Sequence, residues 1–280
     1  MDNRAIGVFD SGVGGLTVAK EIMSQLPGER IIYFGDTARV PYGSKSRETV
    51  TKYTGQIIRF LLTHEVKALV IACNTMSALA LDTVEKNLSI PIIGVVKPGA
   101  VAASKTTVNK RLGVIATEST INSGLYNRFI KNIDPDIEVI GKACPLFCPL
   151  VEEGMTDDPV TEEIARRYLK DLIKQDIDTL ILGCTHYPLL KDIIAGIVGE
   201  KVTLVNPAYE TARGLREMLS ENDILSGLKS VSGHEFYVSD SADKFAGFAE
   251  RLLHIEKPDA GIVDIEEYLR RYEKERSGKG

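Results

Sequence analysis

Short apolar runs alternate along the chain with longer stretches in which apolar residues recur at helical spacing. The runs at 5–9, 31–34, 68–72 and 92–96 are nearly continuous in aliphatic and aromatic residues. Those at 112–116, 137–140, 179–182 and 202–205 read the same way. Strands with this pattern are buried on both faces, as in parallel sheets. Helical patterns lie between them, for example over 16–25, 49–64 and 162–175. Strand alternating with helix predicts an α/β fold with parallel sheets. Beyond residue 206 the pattern predicts helices over 210–220 and 242–254, a strand over 235–238 and an exposed charged helix over 264–279.

The pattern also repeats. Ile6-Gly7-Val8 returns as Leu112-Gly113-Val114 and Phe34-Gly35 as Ile140-Gly141, each 106 residues on. The run ending at Cys73 returns as the run ending at Cys184, and Val96-Lys97-Pro98 as Val205-Asn206-Pro207. Four landmarks in one order predict a duplicated βαβαβαβ unit. The expected fold is two similar doubly wound parallel-sheet halves, with ligands beyond the carboxyl ends of their strands.

Composition narrows the function. The chain has 280 residues, 44% of them hydrophobic and 26% charged, enough for a sizeable core. A net charge of −5 gives no general attraction to nucleic acid or an acidic membrane, so neither is expected as a partner. No apolar run reaches the 18 residues of a membrane span. The polar start MDNRAIGVFDSG lacks the apolar stretch of a signal peptide, which predicts a cytoplasmic protein. In that reducing setting Cys73, Cys144, Cys148 and Cys184 are expected as free thiols.

Cys73 and Cys184 carry the strongest chemical signal. Each follows a buried strand, and helical segments follow at 77–88 and 189–198. A thiol near a helix start is favoured as thiolate. If the two halves face each other, the thiols approach one substrate from opposite sides. Two groups on opposite faces of one carbon are what a two-base racemase needs. Asp10 and His186 lie at or just past strand ends and could orient or activate the thiols. Asp10-Ser11-Gly12-Val13-Gly14-Gly15 opens a helix and could bring backbone N–H groups close to an anion. It is only a partial dinucleotide fingerprint, because Thr17 stands where the last glycine belongs. The Tyr42 hydroxyl and the backbone around Gly43 could meet a polar ligand. Cys144 and Cys148 have a C-x₃-C spacing too loose for zinc and are expected to pack, so no metal site is expected. Glu152-Glu153 reads as a solvated pair that could help position a proton, and His64, His234 and His254 read as structural.

These blocks together resemble the glutamate racemase family. Phe9-Asp10-Ser11-Gly12-Val13-Gly14-Gly15-Leu16-Thr17 and Phe34-Gly35-Asp36-Thr37-Ala38-Arg39-Val40-Pro41-Tyr42-Gly43 are similar to its first two blocks. Ala72-Cys73-Asn74-Thr75 and Gly183-Cys184-Thr185-His186-Tyr187-Pro188 are similar to its two cysteine blocks, and Cys144 to Gly154 to a further one. The resemblance implies a cofactor-independent enzyme that interconverts L- and D-glutamate, supplies D-glutamate for peptidoglycan and forms homodimers. It implies two α/β domains, 1–97 plus 208–280 and 98–207, with the active site in the cleft between them. It implies that Cys73 takes the α-proton of D-glutamate and Cys184 that of L-glutamate, assisted by Asp10 and His186. Asp10, Ser11, Tyr42, Gly43, Asn74, Thr75, Thr185 and His186 would contact the substrate, and Glu152 would lie near the site. Met76 stands where the family has alanine and is expected to alter the volume of the pocket. A two-thiol racemase for aspartate or a hydantoin, and a two-lobed binding protein without catalysis, are the competing readings.

Overall fold

The structure, a computed structural model, describes residues 1–255 and 258–277. Its strands are β1 (Ile6–Asp10), β2 (Ile31–Gly35), β3 (Ala68–Ile71), β4 (Ile92–Gly94), β5 (Arg111–Ala116), β6 (Glu138–Ala143), β7 (Thr179–Gly183), β8 (Thr203–Val205), β9 (Glu235–Val238) and β10 (Ala260–Ile262). Its helices are α1 (Leu16–Gln25), α2 (Arg47–Leu62), α3 (Asn74–Val84), α4 (Val96–Thr106), α5 (Glu118–Asn122), α6 (Leu125–Ile133), α7 (Phe147–Glu152), α8 (Pro159–Ile173), α9 (Lys191–Val198), α10 (Pro207–Glu221), α11 (Ala242–Leu253) and α12 (Ile265–Ser277). The charged helix expected to reach Lys279 is α12, and residues 278–280 lie outside the described ones.

The strands form two wholly parallel sheets, ordered β10-β9-β2-β1-β3-β4 and β6-β5-β7-β8. The first four strands of each half take the same order: second, first, third, fourth. That is the arrangement the internal repeat predicts. The tail returns to the first sheet through β9, which pairs with β2.

Every residue of β1, β2, β3 and β7 is buried, which explains their unbroken apolar runs. Helices cover both faces of the first sheet. Leu16 and Ile22 of α1, Leu215 and Leu219 of α10 and Phe245 of α11 pack on one face. Ile57, Phe60 and Leu61 of α2, Leu79 of α3 and Leu269 of α12 pack on the other. Helix starts follow side-chain caps. Asp158 accepts from the Val160 amide at 2.7 Å and Asn206 from the Ala208 amide at 3.0 Å, each with proline at the first helical position.

Three boundaries differ from the pattern. The run at 92–96 stops as a strand at Gly94, because Ser77 Oγ accepts from the Val96 amide and Val96 opens α4. β6 extends to Ala143, since it pairs with β5 along all six residues of each strand. β10 has three residues with a glycine at its centre, too few to show any alternation.

A buried ion pair ties the first sheet to the chain around it. Lys67 Nζ lies 2.6 Å from Glu29 Oε2, with both side chains sealed from solvent. The ammonium also donates to the Asp2 and Ile224 carbonyls, and Glu29 accepts from the Ser226 amide at 2.7 Å.

Candidate active site

β1 and β3 are neighbours at the centre of the first sheet, so their ends bring Asp10 and Cys73 together. Cys73 immediately precedes α3 in an extended backbone conformation, as its first capping residue. Cys184 follows β7, which is central in the second sheet and pairs with β5. The ends of the two sheets meet across a cavity of about 220 Å³, which Cys73 and Cys184 both line. Its volume suits a small polar molecule, below the roughly 300–1,000 Å³ of pockets that take drug-sized ligands. A larger hollow of about 470 Å³ lies between α3, α4, α6 and α10, but no thiol or imidazole lines it.

Hydrogen bonds hold the cavity walls. Cys73 Sγ lies 3.5 Å from Ser11 Oγ. Asn74 Oδ1 accepts from the Tyr126 hydroxyl at 2.7 Å, and Thr75 Oγ1 lies 2.9 Å from Thr117 Oγ1. Ser119 donates through its amide and its hydroxyl to the Gly43 carbonyl, at 3.0 and 2.8 Å. Thr17 Oγ1 donates to the Thr185 carbonyl at 3.0 Å. Each of these last three contacts joins a residue of the first half to one of the second.

Around Cys184 the polar groups are packed tightly. His186 Nδ1 lies 3.8 Å from Cys184 Sγ, and Nε2 lies 3.1 Å from Glu152 Oε1. Glu152 Oε2 lies 3.5 Å from Lys244 Nζ of α11. Cys148 Sγ lies 3.5 Å from Cys184 Sγ.

The electrostatics follow from burial. Burial and the neighbouring Asp10 carboxylate push the Cys73 thiol up to about 12, against the opposing pull of Ser11. Cys184 is pushed well above the ordinary thiol range, first by its hydrogen bond with Cys148 and then by burial. Burial also raises Asp10, although His186 and the Gly12 amide favour its anion. For His186, burial disfavours the cation, but hydrogen bonds to Cys184 and Glu152 outweigh it and raise the imidazole to about 10. Glu152 is held low by its bond to His186, with burial opposing. Both thiols are therefore held toward their protonated forms at neutral pH.

Comparison with known proteins identifies the family. The family model for Asp/Glu/hydantoin racemases matches residues 6–214. The chain belongs to that racemase family. It is 51% identical to the glutamate racemase of Geobacter metallireducens over 94% of this chain and 97% of that one. It is similar in structure to glutamate racemase RacE1 of Bacillus anthracis, with a TM-score of 0.91, 43% identity and coverage of 94% and 98%. The glutamate racemase of Francisella tularensis, solved in complex with D-glutamate, superposes with a TM-score of 0.89 at 44% identity, covering 96% and 100%. Within the family the chain groups with the glutamate racemases, which are isomerases.

Of the residues singled out from sequence, Ser11, Tyr42, Gly43, Cys73, Asn74, Thr75, Cys184, Thr185 and His186 line the one cavity. Asp10 does not. It is fully buried behind the wall, with Oδ2 accepting from the Gly12 amide at 3.0 Å and Oδ1 lacking a hydrogen-bond partner. Tyr42 lines the cavity, but its hydroxyl proton is committed to Asp36, so it is not the free donor the sequence suggested. Met76 is turned into the core under the first sheet and does not line the cavity, so the change in pocket volume expected of it does not arise.

The glycine block serves a different purpose from the one read out of the sequence. Gly14 and Gly15 do not line the cavity. A Cβ on Gly15 would stand 2.4 Å from Asp10 Cβ, and one on Gly14 would stand 2.4 Å from Thr185 Oγ1 and 2.6 Å from His186 Nδ1. Gly14 and Gly15 let α1 approach the site side chains, while Gly12 of the same block lines the cavity. The Gly14→Ala variant is expected to displace Thr185 and His186 and to lower kcat/KM for racemisation by about 10²-fold. Steady-state kinetics, with folding followed by circular dichroism, measure it.

Cys148 also departs from the sequence reading. Cys144 packs as expected and is fully buried, but Cys148 on α7 lines the cavity beside Cys184. Glu152, one turn further along α7, joins it there. The signal was the four-residue spacing of 148 and 152, which places both on one helix face. The family resemblance put Glu152 of that face near the site, but no local pattern linked Cys148 to Cys184.

Proposed function

We propose that the protein interconverts L- and D-glutamate without a cofactor, with Cys73 and Cys184 as the two acid/base groups. The observation that carries this reading is the pair of thiols, from strand ends of different sheets, lining one small cavity. One thiolate takes the α-proton while the opposite thiol, still protonated, gives its own to the other face of the α-carbon. The proton count of the enzyme is unchanged, and the two thiols have exchanged protonation states. The relatives' D-glutamate complex and names support glutamate as the substrate.

Burial holds Asp10 and the two thiols toward their neutral forms, and the ammonium of an entering amino acid would favour their anions. The Asp10 carboxyl, with an unpartnered Oδ1, and the Cys73 thiol gain most from that charge. Asn74 and Thr75 open α3, whose first N–H groups favour a substrate carboxylate. Ser11, Tyr42, Gly43 and Thr185 complete the substrate contacts, with Asp10 acting from behind the wall and His186 steadying Cys184. In the same reading 1–97 plus 208–280 form one domain and 98–207 the other. A cytoplasmic homodimer supplying D-glutamate to peptidoglycan belongs to it as well, resting on the family resemblance of the sequence.

The test is proton NMR of L-glutamate with the protein in D₂O, followed by chiral analysis of the same sample. Loss of the α-proton signal with appearance of D-glutamate is expected. No exchange with the thiols kept reduced, or exchange of aspartate instead, would overturn the assignment. Acidity gives a second check. Cys73 must be ionised to act on D-glutamate, and its proton is held to about 12 by burial and Asp10, with Cys184 adding to the effect and Ser11 opposing it. kcat/KM for D-glutamate is therefore expected to rise as pH is raised from 6 to 9, and to fall as acid keeps the thiol protonated.

A further inference from the structure

Cys148, Cys184 and His186 present two sulfurs and one imidazole nitrogen within 4.8 Å of one another. We infer that this cluster is a binding site for zinc, in which the metal takes Cys184 as a ligand and so switches the racemase off.

The distances match the ion. With Zn–S near 2.3 Å and Zn–N near 2.0–2.1 Å, tetrahedral angles put two sulfur ligands about 3.8 Å apart and sulfur and nitrogen about 3.6 Å apart. The Cys148–Cys184 sulfur separation is 3.5 Å, and Cys184 Sγ lies 3.8 Å from His186 Nδ1. These two separations need shifts of about 0.2–0.3 Å to reach the tetrahedral values, and the third, from Cys148 Sγ to the imidazole, lies within 4.8 Å.

The second observation lies on the far side of the imidazole. Nε2 faces Glu152 at 3.1 Å, leaving Nδ1 toward the sulfurs. A carboxylate that accepts from one ring nitrogen while the other meets the metal fixes the tautomer and raises the basicity of the ligand. Glu152 is in turn held by Lys244 at 3.5 Å. The chain thus provides two thiolate ligands, an oriented histidine and its supporting carboxylate. Because the three ligands line the cavity, a fourth coordination position faces it, open to water or to a substrate carboxylate. Binding forms two Zn–S bonds and one Zn–N bond, and the S–H protons and the Nδ1 proton pass to solvent.

Inhibition, unlike binding, rests on the two-thiol reading above. The test therefore measures both. Metal-free protein in a non-thiol reductant is dialysed against Zn²⁺ at neutral pH, and bound metal is counted by atomic absorption. Co²⁺ then replaces zinc, and its visible spectrum is recorded. One equivalent of zinc and a thiolate-to-cobalt charge-transfer band are expected. Cys148→Ala should weaken zinc binding at least about 100-fold, and Glu152→Gln about 10–100-fold through the freed histidine. Cys144→Ala, whose thiol lies outside the cluster, should bind zinc as the parent does. Less than one equivalent of zinc, a cobalt spectrum without the thiolate band, or undiminished binding in both Cys148→Ala and Glu152→Gln would overturn the site. Should zinc bind as expected yet saturating metal leave racemisation unslowed, the metal site stands and the catalytic role of Cys184 falls.

Discussion

Cys73→Ser and Cys184→Ser each lower glutamate racemisation by about 10²–10⁴-fold, the range expected for loss of one positioned acid/base group, while far-UV circular dichroism stays unchanged. A serine hydroxyl is too weak an acid to form the needed anion and a poorer donor than a thiol. The informative result is the fate of the α-proton. With Cys184 replaced, Cys73 still removes the α-proton of D-glutamate, but no thiol stands on the opposite side. The carbanion then recovers a proton from Cys73 itself. In D₂O the D-glutamate pool gains deuterium while keeping its configuration, and L-glutamate fails to appear. With Cys73 replaced, the pattern mirrors onto L-glutamate. Near-normal turnover in either variant would remove that thiol from the mechanism.

Lys67→Met produces the largest loss of stability. The substitution strands the Glu29 carboxylate and the Asp2 and Ile224 carbonyls in a site closed to water. Removing one partner of a buried pair costs about 3–5 kcal/mol, because the remaining charge has neither solvent nor counter-ion. For a chain of this size that is a fall in Tm of about 10 °C, read in a thermal melt. Glu29→Gln added to Lys67→Met removes the stranded charge and keeps an acceptor for the Ser226 amide, so it should recover much of the loss. A double variant as unstable as the single one would argue that shape, and not charge, governs the site.

The strands of both sheets were legible because parallel strands buried on both faces leave nearly unbroken apolar runs, as β1, β3 and β7 do. The two strand ends carrying thiols were legible for the same reason, since each cysteine closes such a run. β10 was not, because three residues around Gly261 carry no period. Within the site the limits were of another kind. That Gly14 yields space to Thr185 and His186 depends on contacts between residues about 170 apart in sequence, which no local pattern encodes. Cys148 looked like half of a local pair with Cys144, whereas its true neighbour arrives from the end of β7.

The chain passes between the two sheets twice, outward through α4 and back through α10, and these two helices pack on each other. A body attached to another at two points behaves like a door on a pair of pins: it can swing about the line joining them but resists sliding and twisting. The thiols lie on the leaves of that door, one on each. If that door opens to admit the amino acid proposed above, each return to the closed position would bring the same two sulfurs back to the same gap. Inversion at carbon needs that reproducibility, because a donor that drifted sideways between turnovers would return the proton to the face it came from.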